Sequence, residues 1–155
     1  MTAHRSPLTA YPRTGTVLAF DFGEKRIGVA VGDLAVGIAH PLTTIRSEDN
    51  RARFAAVAEL IREWKPVELV IGVPSHADET EHEVGRLARR FAQRLAGRFG
   101  LATRLIDERL TSHAAETGLR EQGARAKKLK AAIDAAAARE ILQAYFEAAR
   151  PEDRS

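Results

Sequence analysis

Three acidic residues stand where a carboxylate has little structural reason to be. Asp21 interrupts the apolar stretch LAFDFGEKRIGVAVGD, residues 18–33, at the end of its first strand-like segment. Asp107 and Glu108 close a later strand-like segment, and Asp134 stands near the start of an Ala-rich helical segment. A buried carboxylate is costly unless it is capped, paired, bound to a metal or used in catalysis. Asp21, Glu108 and Asp134 are therefore the candidate catalytic residues.

The chemistry that such a set could perform is metal-dependent. Carboxylates are the ligands that hard cations such as Mg²⁺ and Mn²⁺ prefer. The chain has no Cys, and its five His show neither zinc-ligand spacing nor an HExxH helix. Two cations held about 3.5–4 Å apart can act on the attacking water and the leaving oxygen of a phosphodiester. Asp21, Glu108 and Asp134 are thus expected to bind Mg²⁺ or Mn²⁺ in a centre of the two-metal type.

Each acid also has an ordinary structural explanation. Asp134 could cap the start of its helix, although the residue three positions later is not the Glu or Gln of a capping box. Glu108 could be a surface acid paired with Arg104 or Arg109. Asp21 is the hardest to explain in this way, because a strand interior offers no helix to cap. Taken together, the three acids favour a metal site.

A run of basic residues precedes Asp134. Residues 120–130, REQGARAKKLK, carry five cationic side chains against one acidic side chain and are called the basic segment below. Alone, this pattern is typical of a solvated loop between helices, but beside a cluster of acids it would hold a phosphate backbone. The candidate nucleic-acid-binding residues are Lys25, Arg26, Arg109, Arg125, Lys127, Lys128 and Lys130.

The composition limits the classes of partner and compartment. The chain has 155 residues, a formal charge of +3 and 6% aromatic residues, so an anionic partner is favoured but base stacking cannot be the main mode of recognition. No apolar run approaches the ~20 residues of a membrane span. The N-terminus lacks the apolar core of a secretory signal. We therefore expect a cytoplasmic protein that does not enter a membrane.

The elements that must position the acids follow from hydrophobic periodicity. Their order predicts an α/β domain with a mixed sheet and helices on both faces. One domain is expected at 16–148, between a flexible N-terminal tail, 1–15, and a C-terminal tail, 149–155. The predicted strands are 17–22, 26–32, 37–45, 66–74 and 101–109, and the predicted helices are 50–64, about 80–98, 111–121 and about 131–148.

Periodicity also predicts which way the acids point. Ile141 lies nearly two full turns after Asp134, and both are expected on the core-facing side of the last helix. Side chains alternate along a strand, so Asp107 and Glu108 point to opposite faces and only one can join Asp21. Pro41 makes the third strand an edge strand or a bent one.

Four motifs in order resemble the YqgF/RuvX family of RNase H-like nucleases. They are FDFGEKRIGVAVGD, IGVP, DERLTSHAAE and AAIDAAAAREILQAYFE, and the resemblance runs from Thr16 to Phe146. It implies an RNase H-like fold with a five-stranded mixed sheet, and by motif it places Asp21, Glu108 and Asp134 on the acidic triad of that family. With the order of elements, it predicts the strand order 3-2-1-4-5, with Asp21 at the carboxyl end of the central strand.

The resemblance implies a nuclease that matures the 5′ end of the 16S ribosomal RNA precursor, free or on the ribosome. Resolution of Holliday junctions, a branched DNA substrate, is the first alternative, and a non-catalytic RNA-binding assembly factor is the second. A resolvase makes two symmetric nicks and needs a dimer. The sequence shows no heptad seam or spare amphipathic helix, so a monomer that processes ribosomal RNA is the favoured hypothesis.

Overall fold

Five strands form a single sheet in the order β3-β2-β1-β4-β5, which confirms the predicted order. The computed structural model describes residues 14–74, 79–108 and 126–149. The strands are β1 (Thr16–Asp21), β2 (Arg26–Asp33), β3 (Ile38–Arg46), β4 (Glu68–Val73) and β5 (Ala102–Asp107). The helices are α1 (Asn50–Trp64), α2 (Glu79–Phe99) and α3 (Ala126–Ala149).

The central strand β1 places its last residue, Asp21, in the middle of the sheet. It pairs antiparallel with β2 and parallel with β4, and β4 pairs parallel with β5. Residues 17–20 are fully buried because helices cover both faces of the sheet. At the edge, the pairing of β2 with β3 shifts register between Val29 and Ala30, beside Pro41, which confirms a bent edge strand.

The two faces of the sheet carry separate hydrophobic cores, so helices do lie on both faces, as predicted. Within the described residues, no helix has the length and apolar character needed to cross a membrane. The core beneath α1 and α2 includes Leu18, Phe20, Ile27, Phe54, Phe91 and Leu95. The core beneath α3 includes Val17, Ala19, Ala30, Ala138, Ile141 and Tyr145.

A buried carboxylate connects α3 to the end of the sheet where β1 begins, opposite the end that carries Asp21. Glu68 begins β4 and is fully buried. One of its oxygens accepts a hydrogen bond from Nε of Arg104 at 2.7 Å, and the other accepts from the hydroxyl of Tyr145. Because both carboxylate oxygens have donors, the charge is compensated where it is removed from water. This network holds the C-terminal half of α3 against β4 and β5.

The last helix differs from its prediction. It begins at Ala126, five residues before the predicted start, so the loop interpretation of the basic segment is wrong for residues 126–130. Asp134 consequently lies two turns inside α3, and the helix-capping explanation for it is wrong as well. Lys and Ala are good helix formers, which explains the longer helix. The predicted helix at 111–121 and most of both predicted tails lie outside the described residues.

Candidate active site

Asp21 has a glycine beside it on each neighbouring strand. Its register partners are Gly28 on β2 and Gly72 on β4. Residues in register project to the same face of a sheet, and alternation along β1 puts Asp21 on the same face as Val17 and Ala19, the face that α3 covers. The neighbouring strands therefore place no side chain on either side of this carboxylate.

Other parts of the chain fill the space over those glycines. A Cβ added to Gly28 would lie 1.9 Å from the carbonyl oxygen of Asp134, so the backbone of α3 rests on β2 at this point. A Cβ added to Gly72 would lie 2.3 Å from Cδ1 of Ile141 and 3.0 Å from Oε2 of Glu108. The absence of side chains at both positions is thus what lets α3 and Glu108 approach Asp21.

Glu108 is the acid of the 107–108 pair that lies on the side of Asp21. It directly follows β5, and its carboxylate reaches over Gly72, the register partner of Asp21. Although β5 is two strands away from β1, the carboxylate of Glu108 therefore lies over β4, the strand next to Asp21. By alternation, Asp107 projects to the opposite face. The sequence narrowed the choice to one of two residues, and the pairing of β4 with β5 decides it.

Asp134 lies on the sheet-facing side of α3, but its carboxylate has a cationic partner. Nε of Arg26 donates to Oδ2 of Asp134 at 2.6 Å, and both side chains are partly buried. Arg26 begins β2, two residues before Gly28, and therefore projects to the same face. Among the described residues, no three His, Asp or Glu side chains are close enough together to hold one metal ion. The structure brings Asp21, Glu108 and Asp134 to one end of one face of the sheet, with Asp134 held by Arg26.

The turn after Asp21 is anchored by a buried arginine that the sequence interpretation did not single out. Arg53 of α1 donates to the carbonyl oxygen of Ser47 at 2.6 Å and to that of Gly23. Its guanidinium lies 5.3 Å from the ring centre of Phe22. These contacts connect α1 to the residues immediately after Asp21.

The environment of Arg53 explains how an arginine is tolerated there. Burial lowers the pKa of Arg53, and the nearby carboxylates of Glu48 and Glu24 oppose that shift. The signal available in the sequence was its spacing, since Arg53 lies one turn before the buried Val57 of α1. A charged residue on an apolar helix face needs a buried partner, here two backbone carbonyl groups.

The predicted nucleic-acid contacts are placed only in part. Lys25 is exposed in the turn after Asp21, whereas Arg109 and Arg125 lie outside the described residues. The three lysines of the basic segment fall within the first two turns of α3, and Lys130 precedes Asp134 by one turn. Thr44 donates to the carbonyl oxygen of Ala131 at 2.7 Å, which fixes this end of α3 beside β3. Residues 126–130 of the basic segment therefore precede Asp134 directly on α3.

Comparison with known sequences concerns the family of the chain. A family model described as "RuvX: Holliday junction resolvase" matches residues 15–148. Three similar proteins carry the name "Putative pre-16S rRNA nuclease". The one from Dechloromonas aromatica is 58% identical and covers 86% of this chain and 91% of its own length. Those from Nitrosospira multiformis (53% identical; 88% and 90% covered) and Methylobacillus flagellatus (52% identical; 91% and 97% covered) are similar over the same region.

Comparison with solved structures concerns the fold. T. thermophilus RuvC in complex with a Holliday junction substrate superposes with a TM-score of 0.54 at 17% identity. The match covers 86% of this chain and 94% of that chain. RuvC has an RNase H-like fold, so the predicted RNase H-like class is confirmed.

Proposed function

The chain belongs to the RuvX family, and from this we propose that it is a nuclease that trims the 5′ end of the 16S ribosomal RNA precursor. The observation that carries the proposal is the position of Asp21 between Gly28 and Gly72 at the carboxyl end of β1, with the Glu108 carboxylate over Gly72 and the backbone of Asp134 over Gly28. Asp21, Glu108 and Asp134 thus approach the same end of one sheet face, and carboxylates are suitable ligands for the divalent cation of a nuclease.

The donor set suits a hard divalent cation, because it consists of carboxylate oxygens only. Asp21, in the centre, and Glu108, over Gly72, are the two acids best placed to hold Mg²⁺ or Mn²⁺. Asp134 would join them once Arg26 releases its carboxylate. When bound, such a cation supplies Lewis-acid stabilisation of the phosphodiester undergoing hydrolysis.

The chain's own cations then position the substrate. Once Arg26 leaves Asp134, its guanidinium can donate two hydrogen bonds to the oxygens of a phosphate beside the acids. Lys127, Lys128 and Lys130, one to two turns before Asp134 along α3, hold the backbone of the same strand. Few aromatic residues are present for base stacking, so shape and backbone determine recognition.

Junction resolution is the second candidate, because the matching family model carries that description. It requires two active sites related by a two-fold axis, one for each nick. A single-strand cut in RNA needs one site in one copy. We therefore propose that the protein acts as a monomer on ribosomal RNA.

A cleavage assay tests both candidates. Wild type, Asp21→Asn and a matched surface control, Glu63→Gln on the exposed side of α1, are incubated with Mn²⁺ and either a 5′-extended 16S precursor RNA or a four-way DNA junction. Wild type and Glu63→Gln should shorten the RNA, and Asp21→Asn or EDTA should prevent this. Paired symmetric nicks in the junction, an intact RNA and a stable dimer in solution would overturn the proposal. RNA binding without any cleavage would favour the assembly-factor alternative.

A further inference from the structure

A groove between α1 and α2 lies on the sheet face opposite the candidate active site. It encloses about 980 Å³ and has an aromatic floor with cationic walls. Its charged lining residues, Arg51 from α1 and Arg94 and Arg98 from α2, are exposed. The face that holds the acids is covered by α3. The groove is therefore separate from the site described above.

The charge of α2 is unusually one-sided along this groove. Between residues 87 and 99, α2 carries four arginines and no Asp or Glu. Arg90, Arg94 and Arg98 follow one another at intervals of four, so they form one stripe on the helix surface and repel each other. Such an arrangement works against helix stability, and a bound anion would relieve it.

Two arginines outside the groove, one on each of the same helices, are paired with a Glu in the usual way. Arg62 on α1 contacts Glu59 at 2.5 Å, and Arg86 on α2 contacts Glu83 at 2.5 Å. Both are neighbours three residues apart, the spacing that stabilises an isolated helix. The contrast separates the groove from an ordinary solvated helix face, which carries both signs of charge.

The groove also orients its cations. The guanidinium of Arg98 lies 4.3 Å from the ring centre of Phe54, so the ring holds the planar group by a cation–π contact. A guanidinium that stacks in this way keeps its N–H edge available for paired hydrogen bonds to phosphate oxygens. Phe99 adds a second aromatic side chain to the lining.

We propose that this groove is a second RNA-binding surface, which binds the phosphate backbone of the folded part of the substrate RNA. The proposal rests on the proposed function and deepens it. The groove and the acids lie on opposite faces of the sheet, so the sheet and the layer of α1 and α2 separate them. An RNA strand bound at the acids must pass around the sheet to reach the groove, so the groove would contact a different part of a folded substrate.

Two matched double variants of the full chain test the proposal. Arg51→Gln/Arg94→Gln removes one groove arginine from each helix, and Arg62→Gln/Arg86→Gln removes one paired arginine from each helix outside the groove. Both lower the net charge by the same amount, and neither touches Arg98 on Phe54. Binding of a 5′-extended 16S precursor fragment is measured in EDTA between 50 and 200 mM salt, with thermal unfolding recorded in parallel.

The groove variant should bind the RNA with a shallower salt dependence. Each lost phosphate contact lowers the slope of log K against log[salt] by roughly 0.7–0.9. If the variant lacks two contacts, raising the salt over this range should weaken RNA binding by the wild type about tenfold more than binding by the variant. The control should keep the wild-type slope. The Tm of the groove variant should be unchanged or higher, because replacing Arg94 removes its repulsion with Arg90 and with Arg98. If the groove arginines only stabilised the fold, the Tm would fall.

Equal salt slopes for wild type and the groove variant would overturn the proposal. So would unchanged RNA binding accompanied by lost binding of poly-glutamate, which would assign the groove to an acidic protein segment. Absence of RNA cleavage with groove-dependent RNA binding would instead refute the proposed nuclease function alone, since the binding titration contains no divalent cation. The two proposals therefore fail in different measurements.

Discussion

Replacing Arg26 with Gln should strengthen Mn²⁺ binding to the free protein while it weakens the fold. Nε of Arg26 lies 2.6 Å from Oδ2 of Asp134, and the two side chains are 32% and 19% exposed. Arg26 thus neutralises a carboxylate that a divalent cation would need, and the two cations compete for it. Glutamine can still donate a hydrogen bond to Asp134 but carries no charge.

The geometry sets the size of both effects. Opposite charges about 4 Å apart attract each other by about 4 kcal/mol at an effective dielectric constant near 20. Desolvation, lost side-chain freedom and partial exposure reduce the net contribution to about 1–2 kcal/mol. Each 1.4 kcal/mol corresponds to a factor of ten, so Mn²⁺ should bind about 5- to 30-fold more tightly. Without a divalent cation, the Tm should fall by about 2–8 °C.

Calorimetric titration with Mn²⁺, in the absence of nucleic acid, measures the first effect, and thermal unfolding with and without Mn²⁺ measures the second. Arg62→Gln, which removes a paired arginine far from the acids, should leave Mn²⁺ binding unchanged. Asp134→Asn should weaken it. If Arg26→Gln bound Mn²⁺ no more tightly than wild type, competition between Arg26 and the cation would be refuted. Unchanged binding by Asp134→Asn would remove Asp134 from the ligand set.

Three further variants test the supports of the site. A Cβ in Gly28→Ala would lie 1.9 Å from the carbonyl oxygen of Asp134, so urea denaturation should show a loss of about 1–3 kcal/mol, with weaker RNA cleavage; Gly85→Ala, whose Cβ would make only ordinary van der Waals contacts, should lower neither. Arg104→Met should lower the free energy of unfolding by about 3–5 kcal/mol, because it leaves Glu68 buried without this cation; a loss below about 1 kcal/mol would show that Glu68 is compensated without it. Alanine at the three lysines of the basic segment should lower the salt slope of RNA binding by about one unit per lost phosphate contact, without loss of helix. An unaltered slope would show that those lysines do not contact the RNA.

Local signals were enough for most of the fold. The predicted bounds of α1 agree with the structure at both ends, because its apolar residues repeat at helical spacing and Asp49 caps its start. The effect of Pro41 on β3 was also predictable, since proline lacks the N–H that a central strand needs. The early start of α3 was missed because five cationic residues suggested a loop, although Lys, Leu and Ala all favour helix.

The candidate site was predictable only as a set of residue types. Asp21 stood out because an acid rarely interrupts a buried strand, and alternation reduced Asp107 and Glu108 to a single candidate. Which of the two acids shares a face with Asp21 depends on the register of β5 against β4. That register is a pairing between distant segments, and no local pattern contains it.

The amino-acid sequence by itself determined the elements, their order and the three acids, because propensity and periodicity are properties of neighbouring residues. Only the tertiary structure decided that Arg26 pairs with Asp134, a residue 108 positions away in the chain. It likewise decided that Gly28 admits the backbone of α3 and that arginines from α1 and α2 line one groove. These contacts join segments that are distant in the sequence, and no local pattern tells how close such segments lie in space. They form only when the chain packs.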